Sequence, residues 1–263
     1  MSPSWRESLR LDVGAAALRV RRYSRGWRPS LLSDMQTPLA AATPEALASA
    51  VAAALSGQSQ SPQRAAAVHV QLSGDWTRLA LLDGASALRG SERGAAATHA
   101  LRRVYGDPVD LWQVCHGRAG RDTLLAAGID RSLHEQLATA LAGANAALAS
   151  LQPSFVAAFN ACLRWLEKPS WLVVVEPGRA VVGFVDGQQL RSLRCHRLQR
   201  DLVLELPAWL AQQRLVGGFA EPQTGVVLAY CGAAPIDPSQ LDVALMLVDL
   251  DAVGAASPAR AEG

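Results

Sequence analysis

The stretch Trp171-Leu172-Val173-Val174-Val175-Glu176-Pro177-Gly178-Arg179-Ala180-Val181-Val182-Gly183-Phe184-Val185-Asp186-Gly187-Gln188 decides the fold. Its valines and aromatics suit a pleated, buried surface. Pro177-Gly178 splits the two apolar runs and reverses the chain between them. Asp186-Gly187 makes a second reversal, and Gln188–Leu198 runs back as a third strand. The result is a three-stranded antiparallel meander with Glu176 at the end of its first strand.

The same pattern opens the chain. Leu9–Val13 and Leu18–Tyr23 read as strands joined around Gly14, and Leu31–Met35 as a third. Thr43-Pro44-Glu45 starts a helix, with Thr43 as N-cap and Pro44 at the first helical position. Leu47, Val51 and Leu55 make its apolar face. Ala66–Leu72 and Trp76–Leu82 alternate and read as a hairpin turned at Ser73-Gly74-Asp75. A helix over Ala95–Tyr105 follows. Val109–Cys115 and Thr123–Ala127 then read as another strand pair, split by the charged turn Gly117–Asp122. Asp130 caps a helix with the face Leu133, Leu137, Leu141 and Leu148. Leu151-Gln152-Pro153 is a short extended link, and Phe155, Phe159, Cys162 and Leu166 line the next helix. Beyond the meander come a short helix near Pro207–Gln213 and a strand, Gly225–Tyr230, ending in Cys231-Gly232-Ala233-Ala234. The apolar stretch Val243–Leu250 and a frayed tail close the chain. Strands followed by helix and strand alternation therefore occur twice, which predicts a mixed α/β fold in two similar halves.

Composition narrows the function. The chain has 263 residues, 25 basic and 23 acidic side chains, and a hydrophobic fraction of 50%. That balance excludes a polybasic or polyacidic binder in bulk and a disordered chain. Alanine supplies 48 residues, so the core is thinner than the apolar fraction implies. Gln136–Leu163 carries no charge, but its alanines, Asn145, Gln152 and Asn160 make two helices broken at Pro153 a better reading than a membrane span. The N-terminus carries Arg6, Glu7, Arg10 and Asp12 and so lacks the apolar region of a signal peptide. The scattered Cys115, Cys162, Cys195 and Cys231 suit reduced thiols in the cytoplasm.

Common catalytic signatures are missing. Lys168, the only lysine, follows Glu167 and cannot serve a phosphate-binding P-loop. No glycine-rich fingerprint opens a helix, and Ser73 sits in no nucleophile elbow. Cys115-His116 and Cys195-His196 can each offer one metal ligand at most, because neighbours on a strand point to opposite faces. No metal site is expected; the pairs read as buried cysteine beside exposed histidine. Arg6, Arg10, Arg19, Arg21, Arg22, Arg25 and Arg28, with Trp5, Tyr23 and Trp27 nearby, allow three readings: a solvated or edge-protecting face, a surface for an acidic partner or lipid heads, or nucleic-acid binding. The first is favoured, and no nucleic-acid partner is expected. Asp12-Val13-Gly14 and Glu176-Pro177-Gly178 place an acid before a glycine turn in matching positions of the two halves. Such turns can hold Mg²⁺ near phosphates.

Several stretches carry a family resemblance. His69-Val70-Gln71-Leu72-Ser73-Gly74-Asp75-Trp76-Thr77-Arg78, Leu151-Gln152-Pro153-Ser154-Phe155, Trp171–Arg179 and Val227-Leu228-Ala229-Tyr230-Cys231-Gly232 resemble segments of actin-like assembly proteins of the PilM and GspL cytoplasmic type. The resemblance runs to about residue 235. It implies two actin-like (ribonuclease H-like) subdomains, 1–150 and 151–253, each opening with an antiparallel meander and covered by helices, before a flexible tail, 254–263. It implies a cytoplasmic scaffold of a type IV pilus or type II secretion platform, held at the inner membrane through the cytoplasmic peptide of a PilN-like partner. Some such proteins bind ATP between the halves. The resemblance makes Asp12, Gly14, Arg19, Glu176, Gly178 and Gly232 the candidate vestigial cleft residues here, with Asp12 and Glu176 as the catalytic pair only in the alternative reading, an active Mg·ATPase. Active members carry a hydroxyl after the first glycine, where this chain has Ala15-Ala16-Ala17, and the second turn leads into Arg179 and Ala180. That loss of phosphate donors predicts a degenerate site with no ATP or Mg²⁺ cofactor.

Overall fold

A computed structural model describes residues 8–24, 30–56, 66–166, 168–199, 202–217, 226–230 and 245–249. Its strands are β1 (Ser8–Val13), β2 (Ala17–Tyr23), β3 (Leu31–Pro38), β4 (Ala66–Leu72), β5 (Arg78–Asp83), β6 (Trp112–Arg118), β7 (Thr123–Asp130), β8 (Ala146–Pro153), β9 (Ser170–Glu176), β10 (Arg179–Asp186), β11 (Gln189–Arg197), β12 (Val226–Tyr230) and β13 (Leu245–Asp249). Its helices are α1 (Pro44–Ser56), α2 (Ser91–Tyr105), α3 (Arg131–Gly143), α4 (Ser154–Cys162) and α5 (Leu202–Gly217).

Two five-stranded sheets share one strand order. The first runs β3-β2-β1-β4-β8 and the second β11-β10-β9-β12-β13. In each, the first three strands are an antiparallel meander, and the meander's first strand then pairs in parallel with the next. The decisive stretch folds as read: Glu176 pairs with Arg179 across the Pro177-Gly178 turn, where Gly178 has φ 71° and so suits glycine. At the second reversal Gly187 and Gln188 both take positive φ, as a tight hairpin turn demands.

Each half owns a core. In the first, Leu9, Leu11, Val13, Leu18, Val20, Val68, Val70 and Leu72 face Leu47, Val51 and Leu55 of α1 and Leu133, Leu137 and Leu141 of α3. Thr43 Oγ1 accepts the Ala46 N–H at 3.3 Å, and Asp130 Oδ1 accepts the Ser132 N–H at 2.8 Å, so both expected caps form. In the second half β9 is buried on both faces, which explains its unbroken apolar run. Trp171, Val173 and Val175 pack with Leu206, Trp209 and Leu210 of α5. Leu172 and Val174 pack with Phe155, Phe159 and Cys162 of α4.

A third sheet, β5-β7-β6, departs from the sequence reading. Ala66–Leu72 and Trp76–Leu82 do not form a hairpin. β4 lies between β1 and β8 in the first sheet, whereas β5 joins β7. Trp76 N and Thr77 N both donate to Ser73 O, at 3.0 and 3.2 Å, and this coiled turn redirects the chain. Alternation is the same for either pairing, so it could not choose between them. Ala80 and Ala126 face Ala97 and Leu101 of α2, while Leu79, Leu81 and Leu125 join the second half's core.

Smaller corrections follow from the same sheet geometry. In the uncharged segment 136–163 the two expected helices are α3 and α4, but α3 ends at Gly143 and β8 lies between them, so Leu148 is a strand residue and the extended Leu151-Gln152-Pro153 is the end of that strand. Parallel pairing with β4 outweighs alanine's preference for helix there. Among the described residues no helix is long and apolar enough to cross a membrane. The tail 254–263 and Gly232 lie outside the described residues, as do Trp5, Arg6, Arg25, Trp27 and Arg28.

Candidate functional site

The turn that leaves β4 is the joint of the molecule. On one side Ser73 N donates to Val13 O and Trp76 Nε1 to Gly14 O, each at 2.9 Å, which ties it to the first glycine turn. On the other side Gly74 N donates to Glu176 Oε2 at 2.8 Å. Arg179 Nη2 reaches Asp75 Oδ1 at 2.7 Å, and Arg179 Nη1 donates to Gly74 O. Ser154 Oγ, at the start of α4, donates to Glu176 Oε1. The structure therefore brings Gly14, Glu176 and Arg179 to one place, linked through Ser73–Trp76, whereas Gly178 accepts the Leu198 N–H at 3.0 Å.

The absence of a side chain at 74 lets Arg179 and Glu176 approach closely. A Cβ added there would stand 2.8 Å from Arg179 Nη1 and 3.2 Å from Glu176 Oε2. Glu176 is 1% exposed. Burial pushes its carboxyl above the usual range, against the bonds from Ser154 and Gly74 and the Arg179 charge, which act the other way.

Asp12 is committed elsewhere. On one face of the first sheet its carboxylate accepts Arg10 Nε and Arg21 Nε, both at 3.0 Å, and Arg21 Nη2. Arg10 Nη2 also donates to Gln71 Oε1 at 2.6 Å. Arg10, Asp12, Arg21 and Gln71 are all buried. Arg10 and Arg21 are thus not part of a solvated face: an aspartate on the same sheet face makes their burial tolerable. Arg19 and Arg22 are only half-buried. Arg19, expected to line the cleft, instead pairs with Asp34 on β3 through two bonds of 2.8 and 2.6 Å. That pair holds the Asp34 carboxyl below the usual range.

In the Cys-His pairs His116 is exposed as expected, but both cysteines differ from expectation. Cys115, His116 and Cys195 are exposed, and His196 is half-buried, with Nε2 2.8 Å from Glu205 Oε2. Both cysteines lie on edge strands, so alternation alone does not bury them. Among the described cysteines Cys162 is the buried one, and burial pushes its thiol up to about 12, where it is inert. Among the described residues no cluster of His, Cys, Asp and Glu could hold a metal ion.

A second feature is a groove of about 130 Å³ between the first and third sheets, lined by Leu72, Thr77, Gln113, Cys115, Ile129 and Leu151. Gln113 and Cys115 in its lining belong to β6, which is an edge strand of the third sheet among the described residues, and edge strands can pair with an added strand.

Two sheets of identical order, joined through the turn after β4, and a small third sheet make the actin-like ATPase fold. The sequence matches no family model and no curated protein. Solved structures do match. A PilM–PilN type IV pilus biogenesis complex aligns over 94% of this chain and 89% of its own, with TM-score 0.69 and 15% identity. The cytoplasmic domain of EpsL, an inner-membrane component of the type II secretion system of Vibrio cholerae, aligns over 96% of both chains, with TM-score 0.57 and 14% identity. A Bacteroides thetaiotaomicron protein with actin-like ATPase fold and unknown function aligns over 90% of this chain and 86% of its own, with TM-score 0.61 and 11% identity. At these identities the fold is what is shared.

Sequence reasoning missed Ser154, Arg179 and the Ser73–Trp76 turn as parts of the site. The available signal was an arginine directly after Gly178, at the edge of an otherwise apolar meander. Its partners lie about a hundred residues upstream, beyond the reach of local patterning.

Proposed function

We propose that this chain is a cytoplasmic actin-like scaffold of a type IV pilus or type II secretion-like assembly platform. It holds the cytoplasmic peptide of a PilN-like inner-membrane partner, contacts the membrane only through that partner, and its nucleotide cleft is degenerate. The observation that carries the reading is the cross-bridge at the cleft: Glu176 and Arg179 are bonded to Gly74 and Asp75 across the joint. Asp12, the other acid suited to Mg²⁺, is neutralised by two arginines. A phosphate entering there would have to displace existing bonds and would meet alanines where hydroxyls are needed. The groove beside β6 supports the partner's place. An extended peptide could pair with the edge strand and set an apolar side chain between Leu72, Ile129 and Leu151.

Calorimetry with the N-terminal cytoplasmic peptide of a PilN-like inner-membrane protein from the same organism tests the reading. Saturable binding, weakened by Ile129→Glu, is expected. No binding of that peptide rejects it. The competing reading, an active Mg·ATPase, is tested by thermal shift. A ligand at one hundred times its Kd stabilises by about 2.7 kcal/mol, and a flat response at millimolar Mg·ATP is the expected result here.

A further inference from the structure

A cavity of about 260 Å³ lies at one end of the third sheet, away from both the cleft turns and the β6 groove. Its buried floor is Ala85, Thr123 and Leu124. Three arginines from three segments line it: Arg93 from the first turns of α2, Arg118 from the end of β6 and Arg121 from the β6–β7 turn. Arg93 uses Nε on Leu88 O at 3.0 Å, which leaves its two terminal nitrogens for a ligand. Arg118 and Arg121 have no carboxylate partner among the described residues. The nearby acids face other groups. Asp122 Oδ1 accepts the Ser86 N–H at 2.8 Å, and Asp83 Oδ1 accepts Thr123 Oγ1–H at 3.3 Å.

The arginine-bearing turn is also fixed in place. Ala119 is 2% exposed within the second half's core, and its carbonyl accepts the Leu190 N–H at 2.8 Å. A Cβ on Gly120 would stand 2.8 Å from Gln189 Cγ. Three like charges around one concavity repel unless an anion sits among them. A preformed turn also lowers the cost of ordering them around a ligand. Guanidinium forks match phosphate oxygens in pairs. The volume falls below the roughly 300–1,000 Å³ of pockets for drug-sized ligands, so it suits one phosphate with a short substituent better than a whole nucleotide.

We propose that this cavity is an anion site for a small phosphoester or diphosphate, held by Arg93, Arg118 and Arg121. Isothermal titration of the full chain with inorganic pyrophosphate tests it. Saturable one-site binding is expected, weakened by salt and reduced at least about tenfold in Arg118→Ala/Arg121→Ala, with partial retention in Arg118→Lys. Both arginines are exposed, so an unchanged circular dichroism spectrum accompanies the loss. No saturable binding by the native chain overturns the proposal, as does binding that the double variant leaves intact. Binding lost in Arg179→Ala but kept in the double variant puts the anion in the cleft and also overturns it. So does flotation with vesicles of anionic phospholipid, dependent on the same arginines, when pyrophosphate does not bind. That outcome would assign the arginines to a lipid surface.

Discussion

Replacing Asp12 with alanine separates a structural aspartate from a metal-binding one. The carboxylate accepts three guanidinium bonds, from Arg10 and twice from Arg21. Arg21 is 2% exposed and Arg10 8%. Register places the two arginines directly opposite each other on β1 and β2, so the variant leaves two neighbouring buried cations without their shared anion. Removing one partner of a buried ion pair costs about 3–5 kcal/mol. Gln71 still accepts from Arg10, which argues for the lower end. Against a total stability of about 5–15 kcal/mol that is a large fraction. With a urea m-value near the upper end of about 1–3 kcal/mol/M, the midpoint falls by about 1 M with m unchanged. Urea unfolding followed by tryptophan fluorescence reads it directly. Replacing the pair together, Asp12→Leu with Arg21→Met, recovers most of the loss, because an apolar pair of similar volume avoids the desolvation of the ions. An Asp12 kept only as a Mg²⁺ ligand would be neutral to remove in the metal-free protein. A loss below about 1 kcal/mol in Asp12→Ala refutes the structural role argued here.

Gly74→Ala loses about 1–3 kcal/mol by overpacking against Arg179 and Glu176, and Arg179→Ala in the same chain recovers part of it; additive losses in a double-mutant cycle would show that the cross-bridge is not what Gly74 accommodates. Gly183→Ala costs a similar amount, about 1–3 kcal/mol, because its Cβ would meet Leu190 Cδ1 at 2.6 Å and Phe155 Cζ at 2.9 Å; urea midpoints check it. Glu176 holds its proton more tightly folded than unfolded. Its contribution is therefore full below the unfolded pKa of about 4.5 and lost as pH rises through the higher folded value. Glu176→Gln flattens the stability profile across that window, and a variant profile parallel to that of the native protein counts against it.

The parts of this fold that were legible in the sequence are those in which one local pattern has one solution. The meander at 171–198, the caps at Thr43 and Asp130, and the period-four faces of α1 and α3 all depend on neighbours within a few residues. The errors share a different cause. β4 and β5 alternate alike, and only pairing with β1 or with β7 decides their sheet. β8 is alanine-rich and reads as helix until β4 is beside it. The candidate cleft was legible as acids and glycines but not as bonds. Asp12 looked free to bind Mg²⁺ because Arg21 on β2, its partner there, is brought opposite Arg10 and within reach of Asp12 only by strand register, and Arg179 looked like a lost donor because Asp75 is remote in sequence.

The two halves treat the same turn differently, and the difference bears on what the molecule can do. In the first half the acid is neutralised within its own sheet, by Arg10 and Arg21. In the second the acid and the arginine beside it reach across to the first half's turn. The third sheet adds another tie, since Leu79, Leu81 and Leu125 belong to the second half's core and the Ala119 carbonyl accepts from Leu190. An ATPase cleft that closes on its ligand needs halves that can shift and donors that wait for phosphate. Here the donors around Gly74 and Asp75 already have protein partners, and any opening would break an ion pair, several hydrogen bonds and packed apolar surface together. Ties of that kind favour a groove of constant shape between the first and third sheets. A groove of constant shape binds a partner segment without first losing conformational freedom of its own.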